Sequence, residues 1–574
     1  MKCKFTSKMN NCCALIKKNQ QKDEKHRQNS DLLTPERLGV VFPNRLSFTR
    51  TLLRRLDREN WQISREFFDL NKEGIGTAVY KIDTQSTNLW FVIFTDKLDQ
   101  EDRNDRVIAE RWDATFTLTK AEPTPEVLER LRSNIPLQEK GRCSSEEIIL
   151  SRANKSVRIF NYVASMLAAG QQPDSKKLLE TGYLIRTTAV YGNGKFGLAD
   201  FKRIQRDNVF LLPFQAEMLT VYLARHFSFE WVEHVARMKN PNRFVPIAEN
   251  LKKELGVGNS TGLGMVPFLV EHPQLICRWI SVREEALVRV LNLRRTSTQK
   301  RNTFRTKLDA SLRHLEQWHT DDLPYRATIE KIKVEVVEVI KNIPRFPNIN
   351  FWQVVVNWCN ENFCLATQEF ISSIIVELHP ELVDDLENFT GVTETYNLNP
   401  KMTLGRLMKI ISKNYSWVNS FKFNQNDSIA NFWYRSIEKE EPRLGHRFFD
   451  EGAEKEIKVG IAYEISKLES ELDKYMQKFS DTNIAEFLKT RPFWRTLIMR
   501  IQSLELCSYA EIQANLLDQA FRPIDLLRFK LAMFGATKFD PKSDLWLRVS
   551  IFQGAPLIQG LQIKAEEDCL FPLP

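Results

Sequence analysis

The spacing of apolar residues changes near Cys143, and this change constrains the fold more than any other feature of the chain. Between Thr34 and about Pro136, short apolar runs alternate with Asp-, Asn- and Ser-rich turns, which is typical of antiparallel strands. Beyond Cys143, apolar residues recur at intervals of three and four, as in 213–238, and this spacing predicts helices. The chain is therefore predicted to be mainly α, with a small α+β N-terminal domain that holds an antiparallel sheet, followed by a large helical body.

The length of 574 residues is enough for about two or three domains. Composition and spacing divide the chain into a disordered basic leader at 1–33, a small α+β domain at 34–140, a helical domain with two glycine-rich loops at 141–300, and a helical C-terminal domain with a short terminal strand at 301–574. The leader is predicted to be disordered because it is polar, rich in Lys and Asn, and without periodicity.

The net charge of +9 is concentrated at one end of the chain. Residues 1–60 hold 14 Lys and Arg against 6 Asp and Glu, so the remaining residues are almost neutral. A second basic cluster at 294–307 contains no aromatic residues that alternate with its charges, as a stacking platform for bases would need. This distribution argues against a nucleic-acid partner, and the leader is interpreted first as a solvated tail, with an RNA-binding arm as the weaker alternative.

Two further features bear on location. No apolar run reaches the roughly 18–20 residues that a membrane span requires, and the apolar patch near the first residue is too short for a signal peptide. The nine cysteines are scattered and form no C-x-x-C pair, which fits reduced thiols. The sequence therefore predicts a cytoplasmic protein without a membrane span.

The first glycine-rich segment, 192–197, matches the pattern G-x-G-x-x-G and follows a strand-like run at 183–191. Glu217 lies 20 residues beyond its last glycine, near where a dinucleotide-binding fold needs a ribose-binding acid. The helix-like surroundings argue against that fold. A looser hypothesis is that donor side chains around the segment hold a carboxylate or phosphate, and a glycine-rich surface turn is the alternative. These donors are Arg186, Tyr191, Asn193 and Lys195.

The second glycine-rich segment, 256–264, contains four glycines together with Asn259, Ser260 and Thr261. Gly256 is predicted to end a helix, and Ser260 or Thr261 to cap the next one. These roles leave the other glycines unexplained. Close approach of a ligand would explain them, and so would tight packing of two helices.

The histidines show no H-E-x-x-H or H-x-x-x-H spacing, so no metal site is predicted. No G-x-S-x-G elbow is present either. His226, on the helix after the first glycine segment, and His272, just past the second, are the candidate acid–base residues. Each is also interpretable as a structural or solvated side chain.

Two functions follow from these features. The first is a cytosolic enzyme that binds a small anionic metabolite or a nucleotide-like cofactor at the two glycine-rich loops, with reaction and cofactor unidentified. The alternative is a non-catalytic helical scaffold or adaptor that binds a protein partner, which the absence of catalytic motifs favours.

Overall fold

A computed structural model describes most of the chain and divides it into two compact units. The sheet unit lies within Val41–Thr261, Arg294–Leu378 and Leu531–Pro574, and the helical unit lies within Met1–Val40, Gly262–Leu293 and His379–Lys530. The described residues are 27, 32, 34–38, 44–99, 111–134, 144, 146–187, 198–199, 213–262, 273–318, 320, 322–389, 398–421, 433–436, 442–444, 456–459, 461–480, 482–505, 523–536, 539–541 and 546–561.

Ten of the strands form one sheet in the sheet unit, and three form a second sheet in the helical unit. In chain order the strands are β1 (Gln62–Leu70), β2 (Gly76–Asp83), β3 (Asn88–Thr95), β4 (Ala114–Thr119), β5 (Glu147–Lys155), β6 (Tyr183–Thr187), β7 (Leu198–Ala199), β8 (Gly256–Gly262), β9 (Trp433–Ser436), β10 (Pro442–Leu444), β11 (Glu456–Val459), β12 (Phe539–Pro541) and β13 (Trp546–Ile551).

Helices account for most of the remaining described residues. They are α1 (Pro35–Leu38), α2 (Phe48–Arg58), α3 (Pro125–Asn134), α4 (Val157–Ala168), α5 (Ser175–Leu179), α6 (Pro213–Lys239), α7 (Glu249–Glu254), α8 (Pro273–Leu291), α9 (Thr298–Glu316), α10 (Leu323–Asn342), α11 (Phe351–Asn362), α12 (Leu365–Glu377), α13 (Pro380–Val383), α14 (Leu404–Asn414), α15 (Ile461–Phe479), α16 (Ile484–Thr490), α17 (Arg495–Ser503) and α18 (Pro523–Phe534). None of these described helices combines the length and the apolar character that crossing a bilayer requires.

The ten-stranded sheet has the strand order β1-β2-β3-β4-β5-β6-β8-β13-β12, with β7 beside β5. The neighbours from β1 to β6 are antiparallel, as are β12 and β13, whereas β6 and β8 are parallel. The predicted fold class is therefore wrong in its sheet. The sheet is mixed rather than antiparallel, and its strands come from 62–551 rather than from 34–140 alone.

The sequence pattern at β5 wrongly predicts a helix. Ser144 and Glu147 resemble a helix capping box, and the Ser144 backbone N–H does donate to Glu147 Oε2, at 2.5 Å. The residues that follow nevertheless form a strand, in which Ile149 lies opposite Leu118 of β4. A short apolar run fits a strand or a buried helix equally well, and here pairing with β4 decides the outcome.

The long helix α6 packs on the sheet unit through aromatic residues. Trp231 of α6 lies 5.2 Å from Phe160 of α4, between ring centroids, and donates its indole N–H to the Gly74 carbonyl oxygen at 2.8 Å. Tyr222, nine residues before Trp231 and on the opposite side of α6, donates its hydroxyl to the Pro556 carbonyl oxygen. Because residues far apart in sequence all contact α6, this helix is the element around which the sheet unit is organised.

The other helices form two groups. In the sheet unit, α9 to α12 pack through contacts such as Phe304 against Trp352, and α12 is buried from Ala366 to Glu377. In the helical unit, α14 to α17 enclose an apolar core around Leu407, Leu468 and Ile498. Of the predicted leader at 1–33, only Arg27 and Leu32 are among the described residues, so its disorder and the other predicted domain boundaries stay predictions.

Candidate functional site

The two segments that the sequence singled out follow or form neighbouring strands. Strands β6 and β8 are parallel, and Arg186 of β6 lies in register with Gly258 of β8. In a parallel pair both strands end at the same edge of the sheet. The carboxyl ends of β6 and β8 therefore lie at the same edge of the sheet, and this region is called the β6–β8 end.

The second glycine-rich segment is a strand rather than a loop, and packing explains two of its glycines. A Cβ on Gly256 would lie 2.4 Å from the Ile551 carbonyl oxygen, and one on Gly258 would lie 2.4 Å from the Tyr183 ring. Both distances are shorter than real contacts allow, so neither position accepts a larger residue without movement. The sequence suggested that tight packing of two helices could explain these glycines. The structure instead shows close packing of β8 against neighbouring strands at both positions.

Arg186 is the predicted ligand-binding residue that the structure describes most fully. It is half-buried in β6, opposite Asn154 of β5. Within the described part of the chain, its guanidinium has neither an ion pair nor a side-chain hydrogen bond. An arginine that is partly desolvated and lacks a carboxylate is suited to a planar anion.

The other predicted ligand-binding residues are described in part or not at all. The backbones of Asn259, Ser260 and Thr261 belong to β8, but their side chains lie outside the description. Tyr191, Asn193 and Lys195 lie outside the described residues altogether. Their roles stay predictions.

Arg225 of α6 holds the chain where it passes from α7 into β8. The guanidinium is 1 % exposed. Its Nε donates to the Leu255 carbonyl oxygen at 2.7 Å, and its Nη2 donates to that of Lys252 at 3.0 Å. Its Nη1 donates to the Pro556 carbonyl oxygen at 3.2 Å. This role cannot be recognised from the sequence, because the acceptors are backbone atoms far from Arg225 along the chain.

His226, the predicted acid–base residue, has a carboxylate partner one helical turn away. Its Nε2 lies 3.6 Å from Glu230 Oε1, and its ring packs against Tyr80 of β2. Tyr80 Oη donates to Glu230 Oε2 at 2.5 Å, and Arg65 Nη1 lies 3.5 Å from Glu230 Oε1. The spacing of four residues between His226 and Glu230 is the sequence signal for this pair, and it is not visible in the spacing between histidines.

The environment separates the pKa values of this cluster. Burial raises the pKa of Glu230, but the His226 imidazole 3.6 Å away, the hydrogen bond from Tyr80 and the charge of Arg65 outweigh it, so the pKa lies below its ordinary value. Burial and the negative charge of Glu230 hold the pKa of Tyr80 well above its usual range. The ionised Glu230 is therefore a fixed acceptor that orients the His226 imidazole.

The His226 cluster and Arg186 of the β6–β8 end belong to separate sets of polar contacts in the described part of the chain. Over the described residues, no hydrogen bond or ion pair joins His226 to Arg186. The second acid–base candidate, His272, lies outside the described residues.

The dinucleotide-binding alternative gains no support from Glu217. This residue of α6 is fully buried, and neither carboxyl oxygen has a hydrogen-bond partner in the described part of the chain. Burial raises its pKa well above the ordinary value, which favours the neutral acid. After β6 the next described strand, β7, pairs antiparallel with β5, whereas a dinucleotide-binding unit needs a parallel neighbour reached directly through a helix.

Over the residues that the structure describes, no group of three or more His, Cys, Asp and Glu side chains is arranged to hold a metal ion. No protein-family model, no curated protein and no solved structure matches the chain.

Proposed function

We propose that this protein binds a small anionic ligand, with a carboxylate or phosphate group, at the β6–β8 end, and that it does so in the cytoplasm. The observation that carries the proposal is the parallel register of Arg186 with Gly258. Ligands of sheets with parallel strands bind outside the carboxyl ends of those strands. The second glycine-rich segment forms β8, and the first follows β6 in the sequence.

The charge of Arg186 supports an anion as the ligand. A half-buried cation loses part of its hydration, and this cost is offset when an anion takes a position beside it. The guanidinium presents its donors in a planar fork that matches a carboxylate or a phosphate. Asn259, Ser260 and Thr261 would add neutral donors on the neighbouring strand, as the sequence predicts.

Strands β6 and β8 are anchored at their amino ends, at the edge opposite the β6–β8 end, and this anchoring supports a rigid rather than an adaptable site. Gly256 N–H donates to the Gly182 carbonyl oxygen at 2.9 Å, and Ser550 Oγ donates to the same oxygen at 2.8 Å. Arg225 holds the chain just before β8 through its carbonyl contacts. A site built on strands that are fixed in this way loses little conformational entropy on binding.

The catalytic part of the proposal depends on His226 and Glu230. The His226–Glu230 pair has the composition of an acid–base dyad, in which the carboxylate orients the imidazole. If a turnover reaction is found, we expect His226→Gln to lower the rate and to leave ligand affinity unchanged. If His226→Gln weakens binding and rate equally, the pair has no separate acid–base role.

The test is a thermal-shift screen of the full chain against nucleotides, coenzyme A, sugar phosphates and carboxylic acids, followed by calorimetry on each hit. A ligand at 100 times its Kd stabilises by about 2.7 kcal/mol, which raises Tm measurably. We expect Arg186→Gln to weaken binding about tenfold or more. Arg158→Gln, at an exposed arginine of α4, is the matched control and should bind as the parent does.

Two results would count against the proposal. The first is a ligand whose affinity is the same in a folded Arg186→Gln variant and in the parent. The second is a panel in which no compound raises Tm. That result would favour the alternative function, a helical scaffold that binds a protein partner, and the next experiment would be a search for that partner.

A further inference from the structure

The helical unit carries exposed aromatic side chains in a region that is otherwise well packed. Phe493 is 82 % exposed and Phe479 is 55 % exposed. Phenylalanine rings are usually buried, because water contact with a ring of this size is unfavourable. Two exposed rings close to one core therefore require an explanation.

Ring and cation contacts connect the part of the surface between them. The Phe479 ring lies 4.7 Å from the Tyr475 ring, and Arg491 Cζ lies 4.9 Å from the centroid of the same Tyr475 ring. Two residues later, the Phe493 ring lies 5.1 Å from the Trp494 ring, in an edge-on arrangement. These five residues are called the aromatic strip.

Local structure holds the strip rigidly. Helix α16 ends at Thr490, and Pro492 then begins a short 3-10 turn, Pro492–Trp494. Trp494 packs against the apolar core of α14 to α17, and Arg491 Nε lies 3.4 Å from Glu471 Oε2. Phe493 lies between these two anchored residues and projects into solvent.

Positive charges flank both exposed rings. Lys478 precedes Phe479, and Arg495 follows Trp494; both are exposed, and neither forms an ion pair within the described residues. The other lysines nearby are neutralised, since Lys474 pairs with Glu471 and Lys489 with Glu486. Lys478 and Arg495 therefore place positive charge next to the ring residues Phe479 and Trp494 in the chain.

We propose that the aromatic strip binds single-stranded nucleic acid. Exposed rings stack on unpaired bases of any sequence, and cations beside them contact the phosphates that link those bases. The exposed Phe479 ring follows Lys478 in the chain, and the exposed Phe493 ring lies two residues before Arg495, so each exposed ring has a cation near it, as each base of a strand has a phosphate. A membrane-binding surface would instead gather its apolar side chains on one face, with the cations around it.

This proposal concerns the helical unit and is independent of the anion site at the β6–β8 end. It also departs from the expectation against nucleic acid, which rested on the basic cluster at 294–307 and on the overall distribution of charge. In 489–495 the Phe493 ring is exposed near Arg495, whereas Phe304, the aromatic residue within 294–307, is buried.

The test is fluorescence anisotropy of the full chain with fluorescein-labelled 12-nucleotide oligo-dT and oligo-rU. Removing one stacking ring is expected to weaken binding roughly 5- to 100-fold, so Phe493→Ala and Phe479→Ala should each show a loss in this range. Phe67→Ala removes an exposed ring of β1 in the sheet unit and should have no effect. Arg495→Gln should reduce the slope of log K against log salt by about 0.7, as expected for one lost phosphate contact.

Circular dichroism would verify that each variant is folded. The proposal is overturned if the parent binds neither oligonucleotide, if a 12-base-pair duplex binds as tightly as the single strand, or if Phe493→Ala binds as the parent does. It is also overturned if phosphatidylserine vesicles, rather than oligonucleotides, bind in a manner that depends on Phe493.

Discussion

Replacing Glu377 with Gln should destabilise the sheet unit strongly at neutral pH. Glu377 is the last residue of α12, where a negative charge is unfavourable because it lies at the negative end of the helix dipole. Arginines from the start of the sheet unit compensate for it: Arg50 Nη1 donates to Glu377 Oε2 at 2.6 Å, and Arg45 Nη1 donates to Oε1 at 3.3 Å. All three side chains are buried.

The magnitude follows from the pKa of Glu377. Burial alone would raise it, but the charges of Arg50, Arg45 and Arg54 and the hydrogen bonds from Arg50 lower it from 4.5 to about 2. A shift of this size corresponds to about 3 kcal/mol of stability at pH 7. The figure agrees with the roughly 3–5 kcal/mol lost when one partner of a buried ion pair is removed.

The pH dependence has a definite sign. Because the folded-state pKa is depressed, the contribution of Glu377 is fully present above its unfolded pKa of 4.5 and is lost as pH falls towards about 2. The difference in stability between the parent and Glu377→Gln should therefore be largest at neutral pH. It should fall by about half near pH 3.

Urea unfolding followed by tryptophan fluorescence at about pH 7 and about pH 3 measures both quantities. Glu330→Gln is the control, because Glu330 pairs with Lys333 on the exposed surface of α10 and should contribute less than about 1 kcal/mol. The reasoning is refuted if Glu377→Gln is as stable as the parent at pH 7, or if the difference is the same at both pH values.

Three other changes test the packing of the sheet unit. Arg225→Met should lower the free energy of unfolding by about 3 kcal/mol, because it leaves buried carbonyl oxygens without donors; an unchanged urea midpoint would contradict this. Gly256→Ala should cost about 1–3 kcal/mol because of the close Ile551 carbonyl, whereas Gly560→Ala, which meets open space, should cost less than about 0.5 kcal/mol; equal midpoints would show that the predicted clash is absent. Glu217→Gln should stabilise the protein by an amount that grows as pH rises above the unfolded pKa of 4.5. The reason is that the raised folded-state pKa of Glu217 makes the parent less stable as its carboxyl is driven to ionise. A stability gain that does not change between about pH 5 and pH 8 would be inconsistent with a buried neutral acid.

The strands and helices with a strong pattern were predictable. The apolar runs at 76–82 and 89–95 correspond to β2 and β3, the three-four spacing at 213–238 corresponds to α6, and the strand-like run at 545–552 contains β13. In each case a long segment repeats one period, so local preference and tertiary structure agree.

Elements whose conformation depends on distant partners were not predictable. The C-terminal domain at 301–574 is predicted to be helical apart from a terminal strand, but Trp433–Ser436 within it is a strand that pairs with β10 and β11. Residues 256–262 read as a glycine-rich loop, but they form β8 because β6 and β13 lie on either side. A local pattern contains no information about such partners, and strand propensity in particular depends on its neighbours.

The types of residue in the candidate site could be predicted from the sequence, but which of them lie close together could not. Donors and glycines marked both segments, and the structure puts Arg186 next to the second of them. His226 was also singled out, but its contacts are with Tyr80 and Glu230 rather than with Arg186. The register of a parallel strand pair cannot be read from either strand alone, because each side chain is consistent with several registers.

The parallel pairing also links the proposed anion site to the core of the sheet unit. Two parallel strands cannot be joined by a tight turn, so the chain between β6 and β8 must cross over, and this crossover contains α6 and α7. The same crossover carries Arg225, whose guanidinium holds the carbonyl groups just before β8. A change at Arg225 should therefore weaken ligand binding at Arg186 without any contact between the two side chains. Such a change would disturb the position of β8 and would leave the Arg186 side chain itself unaltered.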